Sequence, residues 1–149
     1  MPLLQKILED MKTAMKSGDK SRLEVLRFML AGLNAAKKEK TLKDPEATLD
    51  DAEVISLLQK EAKKRKDSIE LFKQGDRADL VEKEEADLSI IFEYLPKELS
   101  RDEVLAIVKD LKEKGFNDFS SLMRESMKAV HGRSDGKMVG DVIKDVERA

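Results

Sequence analysis

Apolar positions recur at helical spacing along the whole chain and predict seven helices without a strand. Leu4, Leu8, Met11 and Met15 repeat at four-three-four spacing, which predicts one apolar stripe on a first helix closed by Gly18. Asp19 is placed to cap a second helix, whose stripe is Leu23, Leu26, Leu30 and Leu33. Residues 41 to 47 hold Pro45 and no clear period, so they read as a linker or loop. Thr48 with Asp51 predicts a cap for a longer third helix with the seam Ile55, Leu58, Ala62, Arg65, Ile69 and Phe72, ended by Gly75. A fourth helix is predicted from Ala78 to Tyr94, because proline at position 96 disfavours helix at the preceding Leu95.

Beyond Pro96 the elements shorten. Ser100-Arg101-Asp102-Glu103 is a capping box for a fifth helix with Val104, Ile107, Val108 and Leu111 inward, closed by Gly115. Asp118 is positioned to cap a sixth, with Phe119, Leu122, Met123, Met127 and Val130 as its apolar face and Gly132 at its end. Val139, Val142, Ile143 and Val146 mark the last helix. The expectation is an all-α protein: a four-helix N-terminal part, residues 1–95, and a small three-helix C-terminal part, residues 96–149. A unit of about 50 residues buries little surface and is marginal by itself.

Composition sharpens this picture. Charged residues make up 40% of the chain and aromatic residues only 4%, a balance suited to surface helices rather than sheets. With a net charge of −2 there is no global field to attract DNA or an anionic membrane, so an RNA contact would need a local patch. Cysteine is absent, which excludes disulfides, thiolate metal sites and cysteine nucleophiles. No cofactor or metal is expected. Met1 to Lys16 includes Glu9 and Asp10 and matches neither a secretory segment nor an acid-free transit peptide, and no apolar run nears the roughly 20 residues of a membrane span. The expectation from this is a soluble, cytoplasmic protein.

Three places carry candidate chemistry. Lys60, Lys63, Lys64 and Lys66, with Arg65 among them, form the densest cation cluster and suit RNA phosphates. In a hairpin turning about Gly75-Asp76, however, Glu84, Glu85 and Asp87 would face Lys63 to Lys66 and neutralise them, and Arg65 would be an ion-paired seam residue. His131, the single histidine, reads as a helix-end residue rather than a general acid–base group, since no catalytic partner can be assigned to it. The loop Gly132 to Lys137 fails the P-loop pattern, with Met138 where a magnesium-binding hydroxyl should stand. Two readings of this loop stay open: the last helix's free N–H groups hold an anion beside Lys137, or Asp135 caps them. Arg133, free of capping duty, points to an outward contact. Tyr94 and the phenylalanines read as core residues, leaving no base-stacking surface.

Taken in order, Glu9-Asp10-Met11-Lys12, Ala14-Met15-Lys16, Asp19-Lys20, Leu26-Arg27, Arg65-Lys66-Asp67-Ser68-Ile69, Tyr94-Leu95-Pro96 and Gly132-Arg133-Ser134-Asp135-Gly136-Lys137 resemble the YqeY family across nearly the whole chain. Met123-Arg124-Glu125-Ser126-Met127 departs from the pattern, with Arg124 where a glycine commonly follows the methionine. The family's C-terminal part is similar to the tail of GatB, a component of the tRNA-dependent Asp/Glu-tRNA amidotransferase. The resemblance implies a two-part helical fold and a tRNA-contacting accessory module without a catalytic site of its own. Its partner would be tRNA or an amidotransferase-like complex, touched through Arg133, Lys137 and Lys128. A role within a carbon–nitrogen ligase using glutamine as amide donor is the alternative it implies. A third reading is a protein-interaction module that binds no RNA and offers an apolar groove between the two parts.

Overall fold

The computed structural model describes all of Met1–Ala149. The chain is all-helical: α1 (Leu3–Ser17), α2 (Lys20–Thr41), α3 (Asp51–Gln74), α4 (Ala78–Phe92), α5 (Arg101–Glu113), α6 (Phe119–Val130) and α7 (Gly136–Arg148). It divides into two compact units, Met1–Leu95 and Pro96–Ala149.

The helix ends follow from local chemistry. Asp19 accepts from the Arg22 N–H and Asp118 from the Ser121 N–H, which satisfies orphan donors of the first turn. Ser100 and Glu103 form a complete capping box. For α3 the box is Asp50 with Glu53, not Thr48 with Asp51. Thr48 offers its carbonyl to the Lys40 ammonium at 2.9 Å, and Asp51 reaches across to the Leu3 N–H at 2.8 Å. Pro2 supplies no side-chain cap to α1, so a carboxylate from α3 satisfies that end instead. At the end of α3 the left-handed residue is Asp76, at φ 55°, whereas Gly75 sits at φ −89°.

In the first unit α1 packs along α2 and α3 along α4, with α2 against α4 and α1 against α3. Its core holds Ile7, Leu26, Leu33, Val54, Leu58 and Ile91 among others. The face of α1 differs from the one its spacing suggests: Ile7 and Ala14 are buried, while Leu8 and Met15 are 37% and 49% exposed. Positions 4-7-11-14 and 4-8-11-15 share two members, and the neighbouring helices decide between them. A polar contact holds this rotation. Tyr94 donates its phenol to Asp10 at 2.6 Å, and the Lys6 ammonium lies 3.0 Å from the same carboxylate. The α4 helix stops at Phe92, two residues before the position read from the sequence. Tighter i to i+3 turns then carry Glu93, Tyr94 and Leu95, bringing the ring round to Asp10.

The Tyr94 hydrogen bond, ahead of the Lys6 contact, holds the Asp10 carboxyl below its ordinary value. Burial pushes the Tyr94 phenol well up, and the Asp10 bond adds to this. A carboxyl lowered in the folded state stabilises above its unfolded value, and that stabilisation is lost as pH falls through the folded value. Tyr94→Phe is therefore expected to lose about 1 kcal/mol near neutral pH, discounted for the partial exposure of Asp10. The difference from the parent should narrow below about pH 4. Urea titrations at several pH values measure it, and a pH-independent loss would show that packing rather than the carboxylate is responsible.

In the second unit α5, α6 and α7 each pack on the other two, around Val104, Val108, Leu122, Val130, Val139 and Ile143. All six are fully buried. Ser126 is buried among them with its hydroxyl unpaired.

Candidate functional site

The α6–α7 junction is built from two successive left-handed residues. His131 at φ 48° is the C-cap of α6, and Gly132 follows at φ 75°. The Arg133 N–H returns to the Val130 carbonyl at 2.9 Å. The histidine is thus a helix-end residue, as its sequence position indicated. Asp135 then adopts an extended conformation and accepts from the Met138 N–H at 2.9 Å. Its carboxylate occupies the place a bound anion would need at the start of α7, so the capping reading is the one the geometry favours.

Arg133 does not extend freely into solvent. Its Nε donates to the Lys97 carbonyl at 2.7 Å, and its own carbonyl accepts from the Leu99 N–H at 2.8 Å. The residue clamps the Lys97–Leu99 segment onto the junction. The sequence could not indicate this, because the partners lie more than thirty positions upstream. Close by, the Glu103 carboxyl is lowered chiefly by the Ser100 N–H and hydroxyl, with the Arg133 and Lys97 charges as weaker causes.

Lys128 and Lys137 remain outward. Lys128 is in the last turn of α6 and 69% of its side chain is exposed, with Glu125 at 3.5 Å. Lys137 is exposed in the first turn of α7. Arg124, one helical turn before Lys128 and also near Glu125, adds a third exposed cation. The i, i+4 spacing of Arg124 and Lys128 is the signal that marks it.

The cluster on α3 disperses. Lys60 and Lys64 are exposed, Lys63 lies 3.6 Å from Asp67, and the Lys66 ammonium sits 5.2 Å from the centre of the Phe92 ring. The acidic run of α4 meets Arg65. The guanidinium contacts Glu84 at 3.1 Å, Asp87 at 3.2 Å and Glu61 at 3.3 Å, and only 12% of the side chain is exposed. Arg65 is the ion-paired seam residue that its position suggests, while Glu85 turns toward Lys73 at 3.9 Å.

Two aromatics depart from expectation, Phe28 and Phe119, the latter 39% exposed at the start of α6. Tyr94 is buried, but Phe28 is 54% exposed, and the Arg65 guanidinium lies 5.1 Å from its ring centre. Phe28 falls outside the Leu23-Leu26-Leu30-Leu33 stripe of α2, so its outward position was legible from spacing. A cleft of about 410 Å³ opens beside it, lined also by Arg27, Lys83, Glu84 and Asp87. A second hollow of about 740 Å³ runs between the end of α2 and the start of α3, with Ala36, Leu49, Ala52 and Leu57 on its walls.

A family model described as Yqey-like protein matches residues 4–146. Altered inheritance of mitochondria protein 41, mitochondrial, from Pyrenophora tritici-repentis is 33% identical over 97% of this chain and 80% of its own length. The protein of the same name from Kluyveromyces lactis is 33% identical over 91% of the chain and 71% of its own length. An uncharacterized protein of Schizosaccharomyces pombe is 34% identical over 67% and 78%, respectively. The mitochondrial names overturn the expectation of a cytoplasmic protein. That expectation rested on the composition of Met1 to Lys16, yet from Leu3 onward these residues lie in α1, which buries Ile7 and Ala14. Their sequence is set by packing, so its composition does not report location.

Proposed function

Because the chain belongs to the YqeY-like family, we propose that it is a non-catalytic helical adaptor that docks on the backbone of tRNA, or on a complex that handles tRNA. The observation that carries this reading is that Arg124 and Lys128, one turn apart near the end of α6, and Lys137, in the first turn of α7, are all exposed on the helices that flank the junction. A five-residue turn joins the last turn of α6 to the first turn of α7. Exposed ammonium and guanidinium groups grouped this way neutralise successive phosphates, and such contacts fix position on the backbone without reading bases. Arg133 takes a different role from the one its sequence suggests. It is a positioning residue that holds Lys97–Leu99 against the junction.

The test is tRNA binding across a salt series. Lys128→Ala with Lys137→Ala is expected to weaken binding about tenfold and to lower the slope of log affinity against log salt by about 1 to 2. Arg133→Ala is expected to lower the melting temperature of the C-terminal unit more than the affinity. An unchanged slope in the double lysine variant would remove the junction as the interface.

The apolar hollow between α2 and α3 supports a second reading, a docking groove for a protein partner. It would be favoured by a protein that co-purifies and is displaced by Leu57→Glu, with no RNA recovered.

A further inference from the structure

We propose that the cleft beside Phe28 is a stacking site for a nucleobase, presented by an unpaired RNA strand or by a free nucleotide. This rests on the reading of the protein as an RNA-docking adaptor, but it lies wholly within the N-terminal unit and is independent of the lysines at the α6–α7 junction.

A single exposed phenylalanine is ordinary on a protein surface. Here three further observations combine with it. The ring is backed by a guanidinium, with Arg65 lying 5.1 Å from its centre. That guanidinium is itself immobilised, because Glu61, Glu84 and Asp87 contact it from two helices and little of it is exposed. The ring and its cation therefore form a platform already in place, and a flat ligand would order little on arriving. Beside the platform is a hollow of about 410 Å³, within the range that holds small ligands. Arg27 borders this hollow next to Phe28; it is exposed and engaged by no carboxylate.

The charges lining the cleft decide the ligand class. Arg27, Arg65 and Lys83 stand against Glu24, Glu84 and Asp87, so the wall has no net charge. A phosphate without a base, or a cationic peptide, would meet opposing charges in equal number. A heteroaromatic ring with donors and acceptors on its edge meets complementary groups instead. Its face stacks on Phe28, a carboxylate such as Glu84 accepts from an exocyclic amine, and Arg27 donates to a ring nitrogen, to a base carbonyl or to the attached phosphate. A duplex keeps its bases stacked inside, so it cannot use the site.

The chain contains no tryptophan, so Phe28→Trp in the full protein places one indole on the platform as a direct reporter. The probes are a 12-nucleotide single-stranded RNA, a duplex of the same sequence, and adenosine monophosphate. The single strand is expected to quench the indole emission and the duplex to leave it unchanged. Quenching by adenosine monophosphate as well would identify a free-nucleotide site, and quenching by the strand alone an RNA site. Phe28→Ala is expected to weaken single-strand binding about tenfold with an unaltered melting temperature, whereas Phe28→Trp keeps it. Only about one phosphate contact is involved, so this component should fall off with salt far less steeply than junction binding. Undiminished single-strand binding by Phe28→Ala, or an unquenched indole with every probe, overturns the proposal. If the double lysine variant loses tRNA while Phe28→Ala loses nothing, this inference fails and the proposed function stands. The reverse pattern sinks the junction and keeps the cleft.

Discussion

Arg65→Leu is expected to destabilise the N-terminal unit by about 3 kcal/mol, read from urea denaturation followed by circular dichroism. The size of the effect comes from the groups left behind. Glu61, Glu84 and Asp87 all lie within 3.3 Å of this guanidinium, and Asp87 is itself buried. With the cation gone, carboxylates remain in a poorly hydrated seam with only Lys83, 3.2 Å from Asp87, to compensate. The paired substitution Arg65→Leu with Asp87→Leu should recover a large part of the loss, since it removes the most buried of the stranded charges. Arg65→Lys should recover little, because one ammonium cannot reach three carboxylates as a planar fork does. Arg65→Leu should also weaken single-strand RNA binding, since it takes away the backing of the Phe28 ring. A loss under 1 kcal/mol would show that water screens the cluster and that α3 and α4 are held by apolar contacts alone.

Ile143→Ala is expected to be as large, at about 3 kcal/mol, and more damaging in its consequence. Ile143 is fully buried between the helices of a unit running only from Pro96 to Ala149. A core of that size supplies roughly 3–5 kcal/mol in total, so one truncation removes most of it. Hydrogen exchange should show amides of α5 to α7 losing protection while those of α1 to α4 keep theirs. Binding of tRNA through Lys128 and Lys137 should disappear at the same time. Uniform loss of protection across both units would mean that they unfold as one body, and the selective effect predicted here would be refuted.

The residues that the sequence identified correctly share a property. Asp19, Ser100, Asp118 and Asp135 cap helices through N–H groups three positions ahead of them. Gly18 and Gly132 adopt the left-handed conformation that ends a helix. Arg65 stood out because a charge occupied an apolar seam, and hairpin register then placed Glu84 and Asp87 opposite it. Phe28 was read as core with the other phenylalanines and is exposed instead, although its place off the stripe of α2 pointed outward. Arg133 was not visible as a clamp. Two glycines and a short loop suggest an outward side chain, and nothing local announces a carbonyl at Lys97.

The sequence by itself determined the number of helices and most of their starts, and hence the all-α fold, because caps and glycines act on backbone groups within one turn. The cap of α3 and the end of α4 were each displaced by two residues. Tertiary structure decided the rotation of α1, the partners of Arg65, the engagement of Arg133 and the outward platform at Phe28. Those depend on which side chains meet across helices, between residues separated in the chain by 19 positions for Arg65 and Glu84 and by 84 for Asp10 and Tyr94. Helical periodicity fixes a face only to within a neighbouring row of side chains, and the packing of adjacent helices selects the row.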